Sequence, residues 1–257
     1  MKGISKKERS RSERELFNSI ASKFIKKDIF PPTRLARKSR VNQTVSGIEL
    51  SEDIDILDVG CGAGFASEYL SGKYKSYTGI DFSSGLIDLA RSVNNGANIR
   101  FIETDLYNYN AERKFDLIII IGVLHHMVDI PLTLKVCLGL LRPGGIVITN
   151  EPQDSNLLAR FIRNLREKFD KTYSSDQEQL NRKELERYFL EAGYTDISVR
   201  PQGFFSSPFA ELMIKPSIIF LPLSWIFCMV DRVIENVFGK VLKNFSWNII
   251  VKGERPV

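Results

Sequence analysis

Three acids, a glycine triplet and a histidine pair are the residues whose types and spacing could do chemistry. Gly60, Gly62 and Gly64 alternate in D-I-L-D-V-G-C-G-A-G-F, directly after a short apolar run, and residues 65–70 then read as a helix start. A strand that breaks into glycines and re-enters as a helix brings bare backbone and a helix N-terminus to one point. Such a point suits an anionic or strongly polar small molecule. Asp58 sits two residues before the first glycine, and Asp81 lies 21 residues beyond Gly60. An acid at roughly that distance is placed to take both hydroxyls of a ribose. Asp105 closes a later apolar run, and His125-His126 follow the unbroken apolar stretch 117–121. Histidine titrates near neutrality, so one of the pair, His126 before His125, could take a proton from an attacking hydroxyl. The same pair could instead be a helix-start feature that holds its loop.

The elements that must position these residues follow a strand–helix rhythm. Strands are expected at residues 54–59, 76–81, 99–104, 114–121 and 146–149, with helices at 84–93 and from Asp129-Pro131 to about 141. Pro143-Gly144-Gly145 reads as a tight turn. The run 117–121 fits a central parallel strand buried on both faces. Asn181 can cap a helix that Gly193 ends, and further strands are expected at 194–200 and 246–252. The expected fold is α/β: a Rossmann-like, doubly wound, seven-stranded sheet with an antiparallel last strand. Asp58, Asp81 and Asp105 then mark three consecutive strand ends, which a parallel sheet gathers at its ligand-binding edge. One acid at a strand end is ordinary; three in register beside a glycine triplet indicate a site.

These blocks in order (D-I-L-D-V-G-C-G-A-G, Y-T-G-I-D-F-S, F-I-E-T-D-L, F-D-L-I-I-I-I-G-V-L-H-H and L-L-R-P-G-G-I-V-I-T-N-E-P) resemble the motif set of class I S-adenosylmethionine-dependent methyltransferases. The resemblance covers about residues 54–152. It is strongest to the small-molecule branch that includes ubiquinone and menaquinone biosynthesis methyltransferases. F-N-S-I-A-S-K-F resembles the opening F-D-x-I-A-x-x-Y-D of that branch, with Phe24 and Ile25 in place of Tyr-Asp. The resemblance implies S-adenosylmethionine as cofactor. It implies that backbone groups of Gly60, Cys61 and Gly62 hold the methionyl carboxylate and ammonium, with support from Asp58. It further implies Asp81 on the ribose, Phe82 packed on the adenine, Asp105 and the Leu106 N–H on the adenine edge, and Gly122 beneath the sulfonium. An NAD-type dehydrogenase is the rival on fold alone, but Phe65 stands where the dinucleotide fingerprint wants its third glycine. Asp58 would also repel a pyrophosphate. No Asn/Asp-Pro-Pro-aromatic motif follows the fourth strand and no Pro-Cys pair is present, which speaks against methylation of nucleic-acid bases.

Composition sets the remaining bounds. With 43% hydrophobic and 26% charged residues, wholesale disorder is excluded. Two histidines and three scattered cysteines give no zinc-like spacing, so no metal is expected. The odd cysteine count and the absence of a secretory signal point to a reducing, cytoplasmic compartment. The whole chain carries +5, yet residues 1–40 hold 13 Lys/Arg against 4 Asp/Glu, so the body is net acidic. This basic arm could meet anionic lipid or nucleic acid; its scarcity of aromatics disfavours nucleic acid.

Residues 1–11 read as frayed. Leu16, Phe17, Ile20, Phe24 and Ile25 then fall at helical spacing, Pro31-Pro32 ends that segment, and Thr33 can cap a second helix to about residue 46. Residues 1–46 are thus a basic arm and helical lid on a methyltransferase domain at 47–257. That domain carries two inserts. In 153–180, residues 156–169 read as a basic amphipathic helix; 203–245 is strongly hydrophobic. Residues 216–230 hold no charge but are only about 22 Å long as a helix, and Pro222 should kink them. That is short of a bilayer's ~30 Å core, so no span is expected. The insert should meet a membrane surface or line a greasy tunnel, with a buried helix pair or a dimer interface as alternatives. The expected activity is methyl transfer to a small hydrophobic acceptor at a membrane surface. An RNA methyltransferase using the basic arm, or a non-catalytic S-adenosylmethionine-binding scaffold, remains open.

Overall fold

Seven strands form one sheet in the order β3-β2-β1-β4-β5-β7-β6 in the computed structural model, which describes residues 6–156 and 180–257. The strands are β1 (Asp55–Val59), β2 (Ser76–Asp81), β3 (Ile99–Glu103), β4 (Phe115–Ile121), β5 (Leu141–Pro152), β6 (Thr195–Gln202) and β7 (Asn248–Glu254). The first five pair in parallel, and β7 runs antiparallel to both β5 and β6. This is the α/β architecture expected from the sequence. The strand order reverses between β1 and β4, which places a crevice at their C-terminal ends. Every residue of β1 and β2 is buried, and Leu117 to Ile120 of β4 are as well. Two apolar layers pack on the sheet. One is built on Ile118, Leu134, Phe189 and Val251; the other is built on Ile56, Tyr77, Ile87 and Ile119.

The helices are α1 (Lys6–Ile29), α2 (Pro31–Thr44), α3 (Phe65–Tyr69), α4 (Ser84–Val93), α5 (Ile130–Leu140), α6 (Arg182–Ala192), α7 (Ser207–Glu211) and α8 (Ser217–Leu242). Side-chain caps start three of them: Ser83 accepts from Leu86 N–H, Asp129 from Leu132 N–H, and Asn181 from Glu184 N–H. Gly193 ends α6 in the left-handed conformation.

Four sequence expectations change. Residues 6–11, read as frayed, belong to α1. Thr33 does not cap α2; the helix begins at Pro31, whose fixed φ suits a first helical position, and the buried Thr33 hydroxyl donates to Leu212 O at 3.2 Å. Residues 143–145 do not reverse the chain. They stay in β5, where Gly144 N–H donates to Arg255 O and Arg255 N–H to Gly145 O. Pro222, expected to kink the apolar helix, lies inside α8. It sits in the second turn of α8, where it removes one backbone bond from an otherwise continuous helix of 26 residues. The argument from a short 15-residue segment therefore fails, because α8 is long and apolar enough to cross a membrane by length and composition. The basic amphipathic helix expected at 156–169 falls, beyond Asn156, outside the described residues.

Candidate functional site

A cavity of about 990 Å³ opens at the β1/β4 crevice, roofed by α1 and α2 and walled by the segment 207–213. The loop after β1 forms its floor. Gly60 has φ +73°, and a Cβ there would lie 2.5 Å from Val123 Cγ2, so only glycine lets the β1 and β4 loops meet. The N–H groups of Gly60 and Cys61 both donate to Ile80 O, and Gly62 N–H donates to Asp81 Oδ2 at 3.0 Å. A Cβ at Gly62 would meet nothing within 4 Å, so the loop is open to the cavity there. Cys61 packs its sulfur against Gly79, and burial beside Asp58 and Asp81 pushes its thiol well up. It fills space and is no nucleophile.

The acids sit as the topology requires. Asp81 is 8% exposed and accepts from Gly62 N–H with one oxygen and from Ser83 N–H with the other, at 2.9 Å. Asp58 is 4% exposed and accepts from the Tyr77 hydroxyl. Burial raises the Asp58 carboxyl to about 7; the Tyr77 bond opposes this and the neighbouring Asp81 adds to it. Burial also raises Asp81, against the pull of the Ser83 and Gly62 N–H groups. Among the described residues no ion pair reaches either carboxylate. Asp105 caps the 3-10 turn Leu106–Asn108 by accepting from Tyr107 N–H, and both Asp105 and Leu106 line the cavity.

The histidines divide in role. His125 is buried, and its Nδ1–H donates to Glu151 Oε2 at 2.6 Å. The Glu151 carboxylate also accepts the N–H groups of Val123, Leu124 and His125 at 3.1, 2.9 and 3.4 Å. Burial, then the neighbouring His126, lowers His125 below the usual histidine range, so it stays neutral. Burial alone would raise Glu151, but the His125 bond and the loop N–H groups outweigh it and hold the carboxylate ionised. His126 stacks on His125 with ring centroids 4.1 Å apart, and its Nδ1 lies 3.1 Å from Glu13 Oε2 of the lid.

Phe17 of α1 meets the edges of both Phe82 and His126, with centroids 5.9 and 5.3 Å apart. Asn18 accepts from the Ser83 hydroxyl at 2.6 Å, which pins α1 to the start of α4. Gly122 N–H donates to Asn150 O at 2.8 Å, and the Arg40 guanidinium lies beside it. Arg40 donates to Asn150 Oδ1 and Asn150 O, both at 3.1 Å, and to Glu211 Oε1 at 3.4 Å. The structure thus gathers Asp58, Gly60, Cys61, Gly62, Asp81, Phe82, Asp105, Leu106, Gly122, His125 and His126 around one cavity. Glu13, Phe17, Asn18, Arg40 and Glu151 were not singled out by sequence reasoning. The first three lie in or beside F-N-S-I-A-S-K-F, which did carry a signal. Glu151 lies in the block L-L-R-P-G-G-I-V-I-T-N-E-P but nothing in that block gives it a role, and no motif or spacing marks Arg40.

A family model described as a methyltransferase domain matches residues 56–145. Two ubiquinone biosynthesis O-methyltransferases are similar to this chain. That of Saccharophagus degradans is 28% identical over 120 residues, covering 45% of this chain and 50% of the relative. That of Chelativorans is 34% identical over 99 residues, covering 37% and 39%. The chain therefore spans about half the length, or less, of these relatives. Among solved structures, a methyltransferase in complex with the Haloferax volcanii Trm112 methyltransferase activator has a TM-score of 0.68 at 16% identity, covering 95% of this chain and 97% of that one. The N-methyltransferase NodS of Bradyrhizobium japonicum, bound to S-adenosyl-L-homocysteine, has a TM-score of 0.55 at 17% identity, covering 90% of each chain. At these identities the two structures show a shared fold.

The residues present fit S-adenosylmethionine on an observation of this structure alone. Two buried carboxylates, Asp58 and Asp81, line the cavity with no ion pair to either among the described residues, and a ligand bringing an ammonium and a pair of hydroxyls supplies what each lacks. Over residues 56–145 the chain matches a methyltransferase domain, and it is similar to the ubiquinone biosynthesis O-methyltransferases.

Proposed function

We propose that the protein transfers a methyl group from S-adenosylmethionine to an oxygen or nitrogen of a small, hydrophobic acceptor, and that it does so at a membrane surface. One observation carries the reading: the Asp58–Asp81 carboxylate pair opens into a 990 Å³ cavity whose acceptor side is largely apolar, with Phe17, Phe24, Leu132, Leu212 and Met213 on its walls. That volume exceeds what a cofactor alone would fill and suits a second, small ligand.

Bound S-adenosylmethionine supplies an activated methyl group on a sulfonium sulfur. Asp81 takes the ribose hydroxyls, Asp58 the ammonium, and Asp105 with the Leu106 N–H the adenine edge. Phe82, held by Phe17, packs on the ring face. The Gly60–Gly62 loop would hold the methionyl group, although the Gly60 and Cys61 N–H groups already donate to Ile80 O and the Gly62 N–H to Asp81, so the contacts expected of those N–H groups are taken within the protein. Gly122 lets backbone approach the reacting centre. The lid helices exclude water and orient the acceptor, which supplies most of the rate for a group that is already activated.

His126 is the base where the acceptor needs one. It lines the cavity, and Glu13 of α1 lies 3.1 Å from its Nδ1, a proximity that exists only with α1 docked. His125 holds the loop through Glu151. Titration calorimetry with S-adenosylmethionine, followed by transfer from methyl-labelled cofactor to a panel of hydroxylated aromatic, amine and lipid acceptors, tests the proposal. Micromolar binding with labelled small-molecule product supports it. Absence of cofactor binding, or label appearing only in RNA, overturns it.

A further inference from the structure

Helix α8 is amphipathic in an unusual sense: one face is bonded to protein along its length, and the other is bare hydrocarbon fringed with cations. The inner face repeats at Ser224, Cys228, Asp231 and Gly239, all buried. Ser224 Oγ donates to Pro32 O of α2 at 3.0 Å. Asp231 accepts from the N–H groups of Phe205 and Ser206, both at 2.9 Å, and from the Ser206 hydroxyl at 2.6 Å. Glu235 accepts from Gly203 N–H at 2.7 Å, and Gly239 abuts Pro201 of β6. The outer face carries Ile218, Trp225, Met229, Val233, Val237 and Val241, spaced by whole turns and exposed, Ile218 to 83% and Val241 to 79%. A contiguous exposed stripe of this length marks an interaction surface.

The charges say what it meets. Both acids of α8 are turned inward onto backbone N–H groups, whereas the charged residues exposed on and around the helix are all basic: Lys215, Arg232, Lys240 and Lys243. The basic N-terminal arm adds to the same sign. Two copies pairing through this face would set cation against cation, while an anionic bilayer neutralises the cations and takes up the stripe. A crossing orientation would strip Asp231 and Ser224 from their partners, so the helix lies flat.

We infer that α8 docks in the plane of an anionic membrane surface through its Ile218–Val241 face. The inference rests on the reading of a membrane-surface methyltransferase and deepens it. Phe209 and Ala210, whose segment walls the cavity, share an apolar cluster with Phe220, Leu223 and Phe227 of α8. Leu212 and Met213 line the cavity and are exposed just before α8 begins. Docking therefore sets one mouth of the cavity against lipid.

The test is co-sedimentation of the full chain with phosphatidylcholine vesicles, with and without phosphatidylglycerol. Binding is expected to the anionic vesicles, weakening with added salt, with Trp225 emission quenched by brominated acyl chains and that quenching lost in Trp225→Phe. The variant Trp225→Asp/Met229→Asp should bind at least tenfold more weakly. Arg232→Glu/Lys240→Glu, which leaves the apolar stripe intact, should lose the preference for anionic lipid. Both variants should keep wild-type affinity for S-adenosylmethionine by calorimetry, which separates failure of docking from failure of the proposed activity. No vesicle binding by the wild type, equal binding by all variants, or a self-association that Trp225→Asp/Met229→Asp abolishes while vesicles are ignored would each overturn the inference, the last in favour of a second copy.

Discussion

His125 donates its Nδ1–H to Glu151 across a fully buried 2.6 Å hydrogen bond, and this one carboxylate also gathers three successive backbone N–H groups of the loop after β4. The loop that carries the histidine pair is thus folded around a side chain from the neighbouring strand. Removing that charge leaves buried donors unsatisfied. Glu151→Ala should cost on the order of 3 kcal/mol of stability by urea denaturation near neutral pH. A loss no larger than that of an ordinary surface substitution would show that the carboxylate does not hold the loop.

The same pair gives a pH dependence with a definite sign. His125 is held below its ordinary 6.5, so the stability gained by keeping it neutral is full above that value and is lost as pH falls below it. Glu151 is held below its ordinary 4.5, so its contribution is full above that value and is lost as pH falls through its lower folded value. Acidification from about pH 7 should therefore destabilise the loop first through His125 and then through Glu151. His125→Asn should flatten the upper part of that decline in a series of urea melts.

Asp58 acts in the opposite direction. Its carboxyl rises to about 7 in the fold from an ordinary 3.8, so the fold binds the proton more tightly than the unfolded chain and loses stability as pH rises between those values. Asp58→Asn, which still accepts from Tyr77, should stabilise the ligand-free protein by about 1–3 kcal/mol at roughly pH 8, a gain that vanishes toward about pH 4. The same variant should weaken S-adenosylmethionine binding about tenfold or more, because the ammonium loses its counter-charge. Stability gained together with unchanged affinity would remove Asp58 from the site.

Asp81 tests the adenosine end independently. Asp81→Asn keeps one acceptor for the Gly62 or Ser83 N–H but loses the charge and the paired acceptors for a ribose. Calorimetry should show S-adenosylmethionine affinity reduced about 10- to 100-fold, with an unaltered circular dichroism spectrum.

The Glu13–His126 contact predicts a catalytic effect that stability does not explain. His126→Asn should lower kcat about 100-fold or more on a hydroxyl acceptor while leaving S-adenosylmethionine affinity unchanged. Glu13→Gln should lower kcat with a smaller change in KM, and Glu13→Asp should recover part of it. Full activity in His126→Asn would leave transfer to positioning alone.

Much of the site was legible because its parts are local in sequence. The glycine triplet, the acids at the ends of β1 and β2, Asp105 and the histidine pair follow directly from strand–turn–helix chemistry, where spacing alone fixes geometry. The helix starts at Asp129 and Asn181 were readable for the same reason. The division of labour between His125 and His126 was not, since it depends on Glu151 and Glu13, which lie 26 and 113 residues away in the chain. Only pairing of β5 beside β4, and the docking of α1 through Asn18 and Phe17, brings those carboxylates to the imidazoles.

The hydrophobic insert shows the same division. Composition located an apolar, uncharged segment of 15 residues, and from this a short element follows. Tertiary structure decided otherwise, because Asp231, Glu235 and Ser224 find buried partners on α2 and in the loop around residues 203–206, and the helix runs on past its uncharged stretch to Leu242. The sequence by itself determined the α/β sheet, the order of its motifs and the glycine loop with its acids, for these depend on periodicity and local backbone freedom. Which histidine pairs with Glu151 and which with Glu13, that no ion pair reaches Asp58 or Asp81, and that one side of α8 is bare were decided only when distant segments packed, since burial and pairing are properties of neighbours in space.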